Sequence, residues 1–128
     1  MARGPRWLTL ALSVAVPTVA LADGDAEAGA RVFAQCAPCH ALEDASHKIG
    51  PTLKGVIGRR AGTLPDYKYS GFMVILGEDG LVWNEAELGQ YLTNPASKIP
   101  GTRMAFSGLD RPEDVADVIA YIRQFSAQ

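Results

Sequence analysis

Cys36 and Cys39 are the only two cysteines of the 128-residue chain, and His40 follows the second directly in Gln35-Cys36-Ala37-Pro38-Cys39-His40. A Cys-x-x-Cys pair can do three kinds of chemistry. It can cycle between dithiol and disulfide, supply half of a zinc site, or anchor a covalently bound haem.

The surroundings weigh differently on each. Cys-Ala-Pro-Cys resembles a thiol–disulfide active site, but such motifs end a strand within a βαβ unit, and this one follows a helix-like pattern. A structural zinc site needs four ligands, and Cys36, Cys39, His40 and His47 form the only set, at ill-suited spacing. Cys-x-x-Cys-His in an exported chain is the attachment signature for haem. Each thiol adds across one vinyl group, and one short turn holds both sulfurs along one edge of the macrocycle. His40 then falls under the iron. That reading needs a sixth ligand. Met73 lies in the apolar run Phe72–Leu76, where core filling is the simpler role. Met104 ends the turn-rich Pro100-Gly101-Thr102-Arg103-Met104, well placed to reach across a cofactor.

The elements that must position these residues are short. Arg3 and Arg6 precede an apolar run from Trp7 to Val19, followed by the small-x-small Ala20-Leu21-Ala22. This order predicts a secretory signal peptide over residues 1–22 and a mature domain over 23–128. Cleavage leaves 106 residues and, with both arginines gone, moves the formal charge from −2 to −4. No basic block points to nucleic acid or an anionic membrane surface, and no membrane insertion is expected after cleavage. A domain this small has a modest core, which a large buried cofactor would enlarge.

Asp25 to Gln35 reads as a helix despite Gly29, which costs about 1 kcal/mol relative to Ala and suggests a close helix crossing. Residues 41–82 read as irregular from their density of Gly and Pro, with Phe72–Leu76 as a strand-like run or buried loop. Asn84 is expected to cap a helix from Glu85 to about Thr93, ended by Pro95. Asp110 is expected to cap a last helix with Pro112 in its first turn and the stripe Val115, Val118, Ile119, Ile122. The fold class is all-α: about three main helices with long loops.

From about Gly24 to Phe125 the chain resembles the class I c-type cytochromes, the soluble mitochondrial and bacterial cytochrome c family. Besides Cys36-x-x-Cys39-His40, the matching motifs are Gly29-x-x-x-Phe33, Gly50-Pro51-x-Leu53-x-Gly55 and Gly58-Arg59. Trp83, Tyr91-Leu92-x-Asn94-Pro95, Ile99-Pro100-Gly101-Thr102-x-Met104-x-Phe106 and Ile119-Ala120-Tyr121-Ile122 follow in the family's order.

The resemblance implies a small cytochrome c fold wrapped around one haem c, with thioethers from Cys36 and Cys39 and iron ligation by His40 and Met104. It implies that the Pro51 carbonyl accepts from His40 and that Arg59, Tyr69 and Trp83 serve the haem propionates. Tyr91, assisted by Thr102, would tune the Met104 side, and Gly29 and Phe33 would meet Tyr121. His47 is read as a loop bridge rather than a ligand. The implied function is a periplasmic, monomeric mono-haem electron carrier, not an enzyme. Its redox partners would be membrane electron-transfer complexes, a terminal oxidase or periplasmic reductases. The alternative is a haem-bearing electron-transfer subunit of a larger oxidoreductase. Two departures stand out. The Tyr69–Trp83 loop is longer and more apolar than in mitochondrial proteins, and Gln35, Ala96 and Ser97 stand where lysines are common. Arg103 keeps its charge, and Lys98 is the only lysine left in the Met104 loop, displaced from the usual donors of an alkaline ligand switch.

Overall fold

The structure, a computed structural model, describes Met1, Gly4 and residues 23–126; the rest of the expected signal segment lies outside the described residues. Five helices occur among the described residues: α1 Ala26–Phe33, α2 Gly71–Glu78, α3 Glu85–Thr93, α4 Pro95–Lys98 and α5 Pro112–Arg123. The fold is all-α, and the only β-type pairing among the described residues is an isolated antiparallel bridge between Arg60 and Val82.

The Asp25 carboxylate starts α1 by accepting from the N–H groups of Glu27 and Ala28 at 2.8 and 3.3 Å. This satisfies donors that an open helix end would leave unpaired. The buried face of α1, Gly29 and Phe33, meets α5. Gly29 is required by distance: a Cβ there would stand 1.9 Å from the Asp117 carbonyl oxygen. Phe33 packs on Tyr121 at 5.6 Å between ring centroids, and Tyr121 on Phe125 at 5.3 Å. Each such pair adds about 1 kcal/mol beyond the area it buries. Gly29→Ala therefore destabilises the protein by about 3 kcal/mol in urea unfolding, although Ala is the better helix former, because backbone must move to admit the methyl. Unchanged or increased stability would mean that α1 and α5 cross less closely than this.

Two expectations are corrected. Phe72–Leu76 is neither strand nor loop but the body of α2. Ser70 caps it by accepting from the Met73 N–H at 3.2 Å, and Gly77 lies flush against Ala61. Apolar, partly β-branched residues resemble a strand locally, but Ser70 supplies a helix start and the adjacent loop supplies a surface to pack on. The last helix is preceded by Arg111, not Asp110, as N-cap, with no side-chain cap bond. Pro112 occupies the first helical position and holds the residue before it extended, which moves the start one place along. Glu113 and Asp114 still set negative charge against the dipole's positive end.

Asn84 accepts from the Glu87 N–H at 2.8 Å to start α3. Pro95 ends α3 and opens α4, whose cap is Asn94, accepting from the Ser97 N–H at 3.2 Å. Beyond α4, Ile99 is fully buried and Gly101 turns the chain at φ 75°, a conformation glycine adopts without strain. His47 bridges two loops: its Nδ1 accepts from the Thr52 N–H at 3.2 Å and its Nε2 donates to the Pro65 carbonyl at 3.1 Å.

Candidate functional site

One cleft of about 230 Å³ gathers every residue that the resemblance assigns to haem binding. Cys36, Cys39 and His40 line it from the turn after α1, Pro51 from the loop that follows, Trp83 from just before α3 and Tyr91 from α3 itself. Thr102 and Met104 line it from the loop after α4, and Arg59 and Tyr69 from the loops before α2. Its other walls are mostly apolar, and they include Val118 and Ile122 of the α5 stripe. A shallower groove between α3 and α5, around Gly89, Leu109 and Val115, carries no cysteine, histidine or methionine.

The cysteines sit on one tight turn, with the Cys39 and His40 N–H groups both donating to the Cys36 carbonyl at 3.0 Å. Both thiols are free and half-buried. Burial, and then the neighbouring Cys39, push the Cys36 thiol above its ordinary range. A thiol–disulfide enzyme needs the opposite, a stabilised thiolate. The zinc reading fares no better. His47 is engaged between loops, and no three or more His, Cys, Asp or Glu residues gather as a metal cage among the described residues.

His40 Nδ1 lies 2.7 Å from the Pro51 carbonyl oxygen, which can only accept, so Nδ1 carries the proton. In the neutral ring Nε2 then keeps its lone pair, the state a metal requires. Burial is the main influence holding the imidazole below its ordinary pKa, partly opposed by the Pro51 bond and reinforced by Arg59 and Lys48. The ring lies against Gly50, where a Cβ would come within 2.3 Å of His40 Cε1. Gly50 is a positioning residue whose contact no sequence pattern displays, although it sits inside the Gly-Pro motif.

On the Met104 side, the Tyr91 hydroxyl and Thr102 Oγ1 share a 2.6 Å hydrogen bond, and Thr102 Oγ1 accepts from the Met104 N–H at 3.3 Å. Burial pushes the Tyr91 phenol up, partly offset by that bond, and its ring packs on Trp83 at 5.1 Å. Met73 also lines the cleft from α2, so its side chain is cleft wall rather than sealed core. Lys98 does not line it; its ammonium pairs with Glu87 and donates to Gln90 Oε1 at 2.8 Å.

Arg59 tests whether a propionate-bearing cofactor fits. Its guanidinium is half-buried and donates to the carbonyls of Thr52 and Lys54 at 2.9 and 3.4 Å, with no carboxylate partner among the described residues. Burial disfavours its charge. A partly desolvated cation at an apolar cleft is matched by an anionic group of a bound molecule. Tyr69 stands close enough to feel that charge, although burial dominates and raises its phenol. Tyr67, unmarked in the sequence, packs on Tyr69 at 4.8 Å and donates to the Ile49 carbonyl at 2.8 Å, bracing this edge. The donor set therefore fits haem: two thiols, an imidazole, a thioether and a cation line one mostly apolar cleft.

The family model described as cytochrome c matches residues 26–126. Cytochrome c2 of Agrobacterium tumefaciens (strain II Chrys) is 46% identical over 101 residues, which is 78% of this chain and 91% of that protein. Cytochrome c2 of Blastochloris viridis is 40% identical over 124 residues, 95% of each. The solved structure of cytochrome cH from Methylobacterium extorquens superposes with a TM-score of 0.71 at 43% identity, covering 79% of this chain and 99% of that one. The chain belongs to the cytochrome c family, whose members carry covalently bound haem c and move electrons without being enzymes.

Proposed function

We propose that the protein is a soluble periplasmic mono-haem carrier, exported by residues 1–22 and active as the monomeric domain 23–128. The bound haem supplies a one-electron couple. Cys36 and Cys39 would hold it through thioethers, and His40 Nε2 and Met104 Sδ would ligate its iron. Arg59, Tyr69 and Trp83 serve the propionates, and Tyr91 with Thr102 steadies the Met104 side. A thioether is a weak donor that favours ferrous iron, so this ligand pair sets a positive potential. With an imidazole and a thioether of the chain both available to the iron, the site would suit electron transfer rather than oxygen chemistry. The observation that carries the reading is that one cleft holds Cys36, Cys39 and His40 together with Met104. A visible spectrum of the purified, exported protein tests it. Low-spin c-type bands that survive acidic acetone extraction are expected; two titratable thiols with no such bands would remove it.

The partners proposed are membrane electron-transfer complexes, a terminal oxidase or periplasmic reductases. Docking rests on apolar contact more than on charge. Ala105 and Phe106 line the cleft and are at least partly exposed, as is Ala37 next to Cys36, and the cleft-lining Gln35 stands where lysine is common in the family. Steering scales with the charges on both partners and is screened by salt. The rate of reduction by a membrane complex is expected to change less than about tenfold between low and moderate ionic strength, as measured by stopped flow. A larger collapse would show that basic residues elsewhere steer the encounter.

A further inference from the structure

We propose that Lys98 is a positioning residue that latches the Met104 loop to α3. The inference rests on the reading that Met104 ligates the iron. The loop from Pro95 to Met104 is held to α3 at two shoulders. One is the Tyr91–Thr102–Met104 chain of hydrogen bonds. The other is Lys98, whose ammonium bridges the Glu87 carboxylate and the Gln90 amide oxygen, one helical turn apart on α3. These two are the groups of α3 that face it. Only 16% of the Lys98 side chain and 32% of that of Glu87 are exposed. A pair this sheltered is screened less than a surface pair, and its hydrogen bonds are charge-assisted.

The backbone makes the latch effective. Lys98 ends α4, and the next residue, Ile99, is fully buried. Thr102 N–H donates back to the Ile99 carbonyl at 3.0 Å, so one turn ties the residue after Lys98 to Thr102. Releasing Lys98 frees one shoulder of the loop and raises the population of states in which Met104 has left the iron. Lys98 is thus the opposite of a replacement ligand: it keeps the methionine in place.

The test uses the full haem-loaded protein, with imidazole as the competing ligand and the iron–methionine charge-transfer band as the signal. Lys98→Ala and Glu87→Ala each strengthen imidazole binding about tenfold and move the alkaline loss of the band to lower pH. Lys98→Arg stays near the parent, and the charge-reversed pair Lys98→Glu with Glu87→Lys recovers much of the loss. Glu85→Gln breaks the Glu85–Arg123 pair between α3 and α5 and leaves imidazole binding unchanged. If Lys98→Ala moves the alkaline transition upward, Lys98 is itself the replacing ligand and the latch is overturned. Unchanged imidazole binding in both alanine variants overturns it too, as does an equal shift in Glu85→Gln. A parent protein without the band would defeat the Met104 reading, and the latch with it.

Discussion

Met104→Ala lowers the reduction potential of the haem-loaded protein by on the order of 0.1–0.3 V, a fraction of the roughly 0.8 V that axial ligands command. It also opens the sixth position to imidazole or cyanide. On the proposed ligation the donor lost is a thioether, which stabilises ferrous iron more than water or an added ligand does. The structure makes the comparison with Met73 necessary, because both thioethers line the cleft. They differ in support. The Met104 backbone hangs from Thr102 and Tyr91, whereas Met73 sits in the first turn of α2, on the loop side that carries Arg59 and Tyr69. Met73→Ala is therefore expected to keep the iron–methionine band. Spectroelectrochemical titration of both variants decides it, and the reverse pattern would transfer the ligand role to Met73.

Replacing both thiols proposed to anchor the haem, Cys36→Ala with Cys39→Ala, is expected to cost the fold. Trp83, Leu88, Tyr91, Leu109, Val118 and Ile122 are buried residues that also line the cleft. Without a cofactor they face a cavity of about 230 Å³. At about 24 cal/mol per Å³ a sealed, empty cavity of that size costs about 5–6 kcal/mol, an upper bound for a cleft that water can enter. The whole stability of a domain is only about 5–15 kcal/mol. Far-UV circular dichroism of the haem-free double variant should therefore show most of the helix content lost. Full native helicity in that chain would mean that the core closes without its cofactor.

What could be read from the sequence was what depends on near neighbours. Cys36, Cys39 and His40 share one turn, and the cap at Asn84 acts within three residues. The Gly29 crossing was legible because a glycine within a helix needs a reason, and the Asp117 carbonyl supplies it. α2 was not legible, because the surface it packs on, around Ala61, belongs to a loop with no regular pattern. The bond from Lys98 to Glu87 spans two helices meeting at Asn94 and shows in no local pattern. The backing of Gly50 against His40 and the brace from Tyr67 to Ile49 are likewise products of tertiary packing.

The crossing of α1 and α5 also sets an order of events. Asp25 N–H donates to Asp117 Oδ1 across 92 positions of sequence, and Gly24 lies against the Ala116 carbonyl. The first helix made therefore waits for the last before it has a surface to bury against, and isolated helices of eight residues are not stable alone. A chain threaded outward from its N-terminus would stay open until its final segment had emerged. Through that interval the Cys36–His40 turn, which follows α1, is not yet enclosed by the α3 and α5 walls. On the proposed attachment of haem to both thiols, the long-range closure between the two ends of the domain leaves an interval in which a bulky macrocycle can reach them.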